Sequence, residues 1–400
     1  MKTMRLSWRY LWSRPLAASL NLLLLALGLG AITFVLLVSH QITRAFDRDL
    51  AGIDVVVGAK GSPMQLILSG VFHIDAPTGN VPLAAMNELQ ANPQVARLIP
   101  ISLGDNFRGF RIVGTSFDYP KLYGATLTSG TLWTQPMQAV LGDQVARQTG
   151  LKVGDSFAGA HGLGAGGESH GQVMYRVTGV LAVSGSVLDR LILTATESVW
   201  AVHEKDTALD FEDQKILEDE REITLALIQY TSPLAAVTFP RFVNATTQMQ
   251  AAAPALEMTR LLSMMGVGTD VLKALSGVLL LTAGLSVFVA LWSAVREHRA
   301  DLALLRMLGA PPRKIAGLLL CEALWLALLA CVLGVLAGQG AIAAAAWALQ
   351  AEKSVAIGAF VWPIELAVVP ALALGVALLA SALPASEAYR TSVFELLQSR

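Results

Sequence analysis

Four long apolar runs constrain this chain more than any other feature. Leu16–Ser39, Ala274–Val295 and Leu366–Ser386 carry no charged residue, and Ile315–Leu349 carries only Glu322. Crossing about 30 Å of hydrocarbon takes roughly 20 such residues as a helix. Inside lipid the backbone must bond within its own segment, which leaves the helix as the element for each run. The third run would be about 50 Å long at about 1.5 Å per residue, so it should tilt, bend or protrude. A secretory signal is the rival reading of the first run. Its 24 uncharged residues exceed the roughly 7–15 of a signal's apolar centre, and no small-x-small cleavage site follows before Arg44.

Composition agrees with the membrane reading: 54% of residues are hydrophobic, 15% are charged and the mean hydropathy is +0.56. Lys and Arg number 29 against 30 Asp and Glu, giving a net charge of −1. No basic field exists to hold nucleic acid. The two cysteines, Cys321 and Cys331, lie in one apolar run, which excludes a disulfide framework and a cysteine-based zinc site.

Orientation follows from Lys and Arg in the short flanks, which are enriched on the cytoplasmic side. Lys2, Arg5, Arg9 and Arg14 precede the first span, and Arg296, Arg299, Arg306, Arg313 and Lys314 lie between the second and third. Arg390 and Arg400 follow the fourth, while the loop between the third and fourth has only Lys353. Both termini and the 296–314 loop are expected in the cytoplasm, with residues 40–270 exported as one block. Ahead of the first span, Met4, Trp8, Leu11 and Trp12 recur at helical spacing opposite Lys2, Arg5 and Arg9. That pattern suits an amphipathic helix lying on membrane lipids, with a disordered positive flank as the alternative.

The fold class expected is therefore four transmembrane helices with a large α+β extracytoplasmic domain inserted between helices 1 and 2. The organisation is a cytoplasmic helix at 1–14, spans at 16–39, 274–295, 315–349 and 366–386, a cytoplasmic loop at 296–314, a short external loop at 350–365 and a tail at 387–400. Within the exported block, residues 40–119 and 201–261 read as an α+β core, 120–200 as a β-rich insert and 262–273 as a helical stalk. Ile53–Val57 and Leu66–Ile74 read as strands, Leu83–Ala91 as a helix, and Val95–Leu103 with Phe107–Val113 as a hairpin turning at Gly104-Asp105-Asn106. Gln138–Leu141, Met174–Ala182, Leu191–Thr194 and Ile223–Tyr230 read as further strands. Leu234–Gln250 reads as a helix started by Ser232-Pro233, and Ala255–Leu261 as a last strand.

No Gly-x-x-x-x-Gly-Lys-Ser/Thr cradle, His-Glu-x-x-His pair or Gly-x-Ser-x-Gly elbow occurs, so the chain is expected not to be an enzyme. Gly159–Gly171 holds six glycines with His161, Glu168 and His170. Imidazole and carboxylate suit a divalent metal, although the glycine-rich stretch reads first as an exposed loop. Glu204–Glu222 holds nine acidic residues and reads as solvated surface, with partner docking as the alternative. Glu322 either anchors at the inner interface or takes part in coupling. Gly334-x-x-x-Gly338 allows close helix approach, within the chain or at a dimer seam.

The sharpest local signal is the inner loop from Arg296 to Lys314. Leu302, Leu305 and Leu308 recur at helical spacing, Gly309 can close a helix, and Pro311-Pro312 forbid its continuation. A short amphipathic helix is expected there, with an ordinary positive connector as the alternative. In this loop the chain resembles the MacB/FtsX-type permeases of ABC transporters, which typically read Glu-Arg-x-x-Glu-Ile-Gly-x-Leu-Arg-Ala-Leu-Gly-Ala, then basic residues and Glu-Ala-Leu. Glu297, Arg299, Leu305, Arg306, Leu308, Gly309, Ala310, Arg313, Lys314 and Glu322-Ala323-Leu324 match; Asp301 stands where Glu is usual and Ala303 where Gly is usual.

The resemblance implies a homodimer working with two copies of a separate cytoplasmic ABC ATPase, which would bind the ATP and Mg; this chain itself needs no cofactor. Glu297, Arg299, Asp301, Leu305, Arg306 and Gly309 would form the ATPase-coupling contact. The resemblance further implies mechanotransmission in a bacterial inner membrane, serving efflux, lipoprotein release or cell-envelope regulation, with a periplasmic adaptor or substrate-binding protein among the expected partners. The rival class is a membrane receptor or scaffold with an external sensing domain and no ATPase.

Overall fold

The computed structural model describes residues 2–13, 15–162, 169–204, 220–297, 307–351 and 361–390. They form two compact units, one drawn from the chain up to Ile42 and from Met264 onward, the other from Thr43–Ser263.

The chain begins with helix α1, Lys2–Leu11. Its Trp8 meets the Trp325 ring edge-on at 5.1 Å, and Leu11 is buried. Helix α2, Pro15–Asp49, starts on a proline, whose fixed φ and missing N–H suit the first helical position.

The second unit follows as β1 (Val55–Ala59), α3 (Pro63–Gly70), β2 (Val81–Pro82), α4 (Leu83–Gln90), β3 (Val95–Phe107), β4 (Phe110–Thr115), α5 (Asp118–Leu122), β5 (Leu127–Gly130), β6 (Gln138–Leu141), α6 (Asp143–Thr149), β7 (Ser156–His161), β8 (Ser169–Leu181), β9 (Leu191–Ala195), α7 (Thr196–Glu204), β10 (Glu222–Ile223), β11 (Leu225–Tyr230), α8 (Ala235–Thr246) and β12 (Met249–Ala252). One sheet runs β12-β1-β11-β3-β4-β9-β6-β8-β5. Alternation along β1 sends Val56 to one face with Ile99, Leu225 and Leu227, and Val55 and Val57 to the other beneath Met86, Phe239 and Val243 of α4 and α8. Because β7 pairs with both β3 and β8, the strands β3-β4-β9-β6-β8-β7 close into a six-stranded ring. Its inside is filled by Phe110, Ile112, Ala139, Leu141, Phe157, Tyr175, Val177 and Ile192.

Three local expectations are corrected. Leu66–Ile74 is not a strand: Ser62 caps α3 by accepting from Gln65 N, and Pro63 opens the helix. The hairpin turns at Arg108-Gly109, both at positive φ, instead of at Gly104-Asp105-Asn106. Phe107 faces Phe110 across this two-residue turn, whose twist matches that of the strands. Ala255–Leu261 is helical, because Pro254 starts helix α9, Pro254–Glu297.

After α9 come α10, Pro312–Ala351, and α11, Val368–Arg390. Among the described residues four helices are long and apolar enough to span a membrane: Pro15–Asp49, Asp270–Ser293, Pro312–Ala348 and Ile364–Glu387. Leu25, Leu29, Ala283, Val287, Ala323, Ala330, Ala373 and Ala377 form the core of the membrane unit. Burying small alanines there lets the helix axes come close.

Candidate functional site

Much of the inner loop, with Arg299, Asp301, Leu305 and Arg306, lies outside the described residues. Glu297 ends α9. Gly309 takes φ +91°, a left-handed conformation, in the turn just before Pro312 opens α10. Glu322 is half-buried on α10 and lines a cavity of about 370 Å³ with Tyr10, Ser13, Asn21, Ser286 and Ser293. Ser286 Oγ donates to Asn21 Oδ1 at 2.5 Å, tying α9 to α2 at that level.

Gly334 and Gly338 sit against α2. A Cβ on Gly334 would lie 2.8 Å from Leu29 Cβ and 3.0 Å from Ala26 O, and one on Gly338 would lie 2.5 Å from Thr33 Cγ2. At the other end of this unit His40 Nδ1 lies 3.4 Å from Glu365 Oε2.

Of the metal candidates, Glu168 lies outside the described residues; His161 ends β7 and His170 is the second residue of β8. The acidic segment 205–219 also lies outside.

The second unit holds a buried polar network with no trace in local sequence, because its members come from four separated segments. Asp49, 6% exposed, accepts from Val187 N at 3.1 Å, and Arg48 Nε stands 3.7 Å away. Tyr123 Oη donates to Asp49 O at 2.9 Å, Arg190 Nη2 donates to Phe72 O at 2.9 Å, and His73 Nε2 lies 2.8 Å from Tyr119 Oη. The Tyr119 and Tyr123 rings meet edge-on at 5.5 Å. His73 Nδ1 has no hydrogen-bond partner among the described residues.

Burial raises the Asp49 carboxyl, an effect opposed by Arg48, the Val187 amide and Arg190. Burial also holds the His73 imidazole well below its ordinary range, helped by the positive charges of Arg111 and Arg190. His73 itself adopts φ +54°, an uncommon conformation for a side-chain-bearing residue. Arg111, whose Nη2 donates to Asp75 O, is lowered to about 10 by burial. The network pins the end of α2 to the segments around residues 73, 119 and 187 within this unit.

Four spanning helices and a large α/β domain inserted after the first define a multi-pass membrane protein whose bulk lies in one insertion. Family models match both parts, in order: the MacB-like periplasmic core domain over residues 18–238 and the FtsX-like permease C-terminal domain over 273–393. The chain belongs to the MacB/FtsX-type family of ABC transporter permeases, the transmembrane subunits of such transporters. Among solved structures, the periplasmic region of MacB from Actinobacillus actinomycetemcomitans is similar at 11% identity and TM-score 0.35, over 54% of this chain and 95% of that one. The extracellular domain of the noncanonic ABC-type transporter YknZ from Gram-positive bacteria is similar at 11% identity and TM-score 0.30, over 49% and 98%. No curated protein matches the chain in sequence.

Proposed function

We propose that this chain is a homodimeric permease subunit that converts ATP hydrolysis by two copies of a separate cytoplasmic ATPase into motion of its external domain. The observation that carries this reading is the ordered match of an external core-domain model and a permease model on one chain, in a sequence with no phosphate cradle of its own. Support also comes from α2 and α9, which are each continuous from the spans into residues of the external domain. A continuous helix can transmit axial displacement or rotation without a substrate path through the bilayer. In keeping with that, the spanning runs carry one carboxylate, Glu322, and no further charge.

In this reading both termini and the inner loop face the cytoplasm of a bacterial inner membrane. Glu297, Arg299, Asp301, Leu305, Arg306 and Gly309 form the contact with the ATPase, and Glu322 transmits or anchors it. Efflux, lipoprotein release and envelope regulation are the outputs open to such a machine, through a periplasmic adaptor or substrate-binding partner. The test is affinity purification of the tagged full chain in mild detergent, with mass spectrometry and an ATPase assay. An ABC ATPase recovered near 1:1 with vanadate-sensitive turnover is expected. A clean homo-oligomer with no ATPase would overturn the proposal in favour of a receptor or scaffold.

A further inference from the structure

A pocket of about 270 Å³ opens in the second unit where α7 lies over β3, beside the short β2–β10 pair. Val199 and Trp200 of α7, Leu103 of β3 and Ile223 of β10 form its apolar walls. Gly114 stands opposite Ser102 across the β3–β4 ladder, and a Cβ there would lie 2.6 Å from Val199 Cγ2. Glycine at 114 therefore lets α7 close down on the face of the sheet that carries Ser102. Hydrogen bonds tie the walls together: Trp200 Nε1 donates to Glu222 O at 2.7 Å, and Leu103 N donates to Thr224 Oγ1 at 2.9 Å. The pocket is thus built in advance, as sites for small molecules usually are.

Ser102, 3% exposed, lies at the buried end of this pocket, and its Oγ has no hydrogen-bond partner among the described residues. A buried hydroxyl left unmatched forfeits its bonds to water, and such groups are uncommon in folded chains. Around the mouth, acceptors and donors alternate. Glu220 and Glu222 present exposed carboxylates, and between them in sequence the Arg221 guanidinium lies over the Trp200 ring at 4.8 Å. Thr224 Oγ1 donates to Asn80 Oδ1 at 3.2 Å, which leaves the N–H groups of that exposed amide for other partners.

We propose that this pocket binds a neutral saccharide unit, with one ring hydroxyl on Ser102 and others on Glu220, Glu222 and Asn80. A cation would be opposed by Arg221, and an anion by the two carboxylates that flank it. A hydroxyl both donates and accepts, so a polyol satisfies Ser102 in either sense, gives protons to the carboxylates and takes them from Asn80. The C–H faces of the ring fit the walls of Leu103, Val199 and Ile223. At about 270 Å³ the pocket falls just below the roughly 300–1,000 Å³ of drug-sized sites, which suits a single sugar ring. The site is independent of ATPase coupling.

The test uses the full-length chain in a detergent without a sugar headgroup, since a glycoside detergent would compete. Glucose, galactose, N-acetylglucosamine and their β-linked disaccharides are titrated by calorimetry and saturation-transfer NMR, with longer β-linked oligosaccharides as a separate arm. Saturable binding of one molecule per chain is expected. Binding of the small sugars assigns the pocket to a free saccharide, and binding confined to the oligosaccharides assigns it to a glycan chain. Ser102→Ala should weaken binding roughly 2–10-fold, the worth of one neutral hydrogen bond, and Glu222→Gln at least as much. Ser102→Ala should also leave the melting temperature without sugar unchanged or raised, because it removes a hydroxyl that the fold does not use. No saturable binding of any of these sugars, or binding of tetramethylammonium or inorganic phosphate in their place, would overturn the proposal. Wild-type affinity in both variants would overturn it by placing the sugar elsewhere, and a lowered melting temperature of S102A would overturn it by showing that the hydroxyl serves the fold.

Discussion

At the scale of single residues, the Asp49 network makes the clearest stability predictions. Arg190 donates to Phe72 O and lends its charge to the buried Asp49 carboxylate. Arg190→Ala removes both, and stripping one partner from a buried charge costs more than the pair itself is worth; we expect a loss of about 2–4 kcal/mol. For a domain of this size that lowers the melting temperature by roughly 4–16 °C, measurable by thermal unfolding of the full chain at pH 7.5.

His73 adds a pH dependence of definite sign. Its folded pKa lies well below the ordinary 6.5, so below about pH 6.5 the unfolded chain binds a proton that the folded chain refuses. Stability from this group is present above the unfolded pKa and falls with pH below it, approaching about 1.4 kcal/mol per pH unit. Asp49 acts in the opposite sense, because its carboxyl is raised. His73→Asn, which tolerates the positive φ, should be less stable than wild type at pH 7.5, with the difference narrowing at pH 5.5. An unchanged difference would show that the imidazole takes up its proton in place. The same network shows where sequence reading stops. Nothing local to Asp49, His73, Tyr119 or Arg190 announces a cluster, since each stands alone in its segment.

At the scale of elements, the spanning helices were legible because lipid imposes one solution on any long uncharged run. The strands of the external domain were partly legible, and the misses have causes. Leu66–Ile74 is apolar enough for a buried strand, and the Ser62-Pro63 start signal outweighs that pattern. Ala255–Leu261 follows Pro254 in the same way. Asp105 was absorbed into an expected turn, because its place inside β3 opposite residue 161 is a register that only the closed ring fixes.

Helix packing gives the element-scale prediction. At Gly334 an added methyl meets Leu29 Cβ and the backbone oxygen of Ala26, while at Gly317 on the same helix nothing lies within 4 Å. Replacing glycine by alanine inside a helix is intrinsically favourable by up to about 1 kcal/mol, so Gly317→Ala should be neutral or stabilising. Gly334→Ala forces α2 and α10 apart and should lose about 1–3 kcal/mol. Melting temperatures of the two variants in one detergent check the contrast, and equal values would mean that these helices do not pack through this seam.

For the whole molecule, orientation and coupling stand or fall together, because an ATPase can reach only a cytoplasmic loop. The excess of Lys and Arg in the N-terminal flank and the 296–314 loop predicts that single cysteines placed between residues 120 and 200, after Cys321 and Cys331 are replaced by serine, label with a membrane-impermeant maleimide from the external side. Labelling from the cytoplasm alone would invert the arrangement. Given that orientation, Arg306→Glu with Leu305→Asp reverses a charge and buries an acid in what the sequence presents as an amphipathic docking face. A carboxylate at an apolar contact costs several kcal/mol or leaves the contact unmade, and a contact energy lowered by about 2.8 kcal/mol weakens capture about 100-fold. The double variant should therefore insert and fold, keep external labelling, and lose both the co-purifying ATPase and its stimulated turnover. If it captures and stimulates the ATPase as wild type does, docking lies elsewhere on the cytoplasmic surface, and α1, whose Trp8 packs on Trp325 of α10, becomes the next surface to probe.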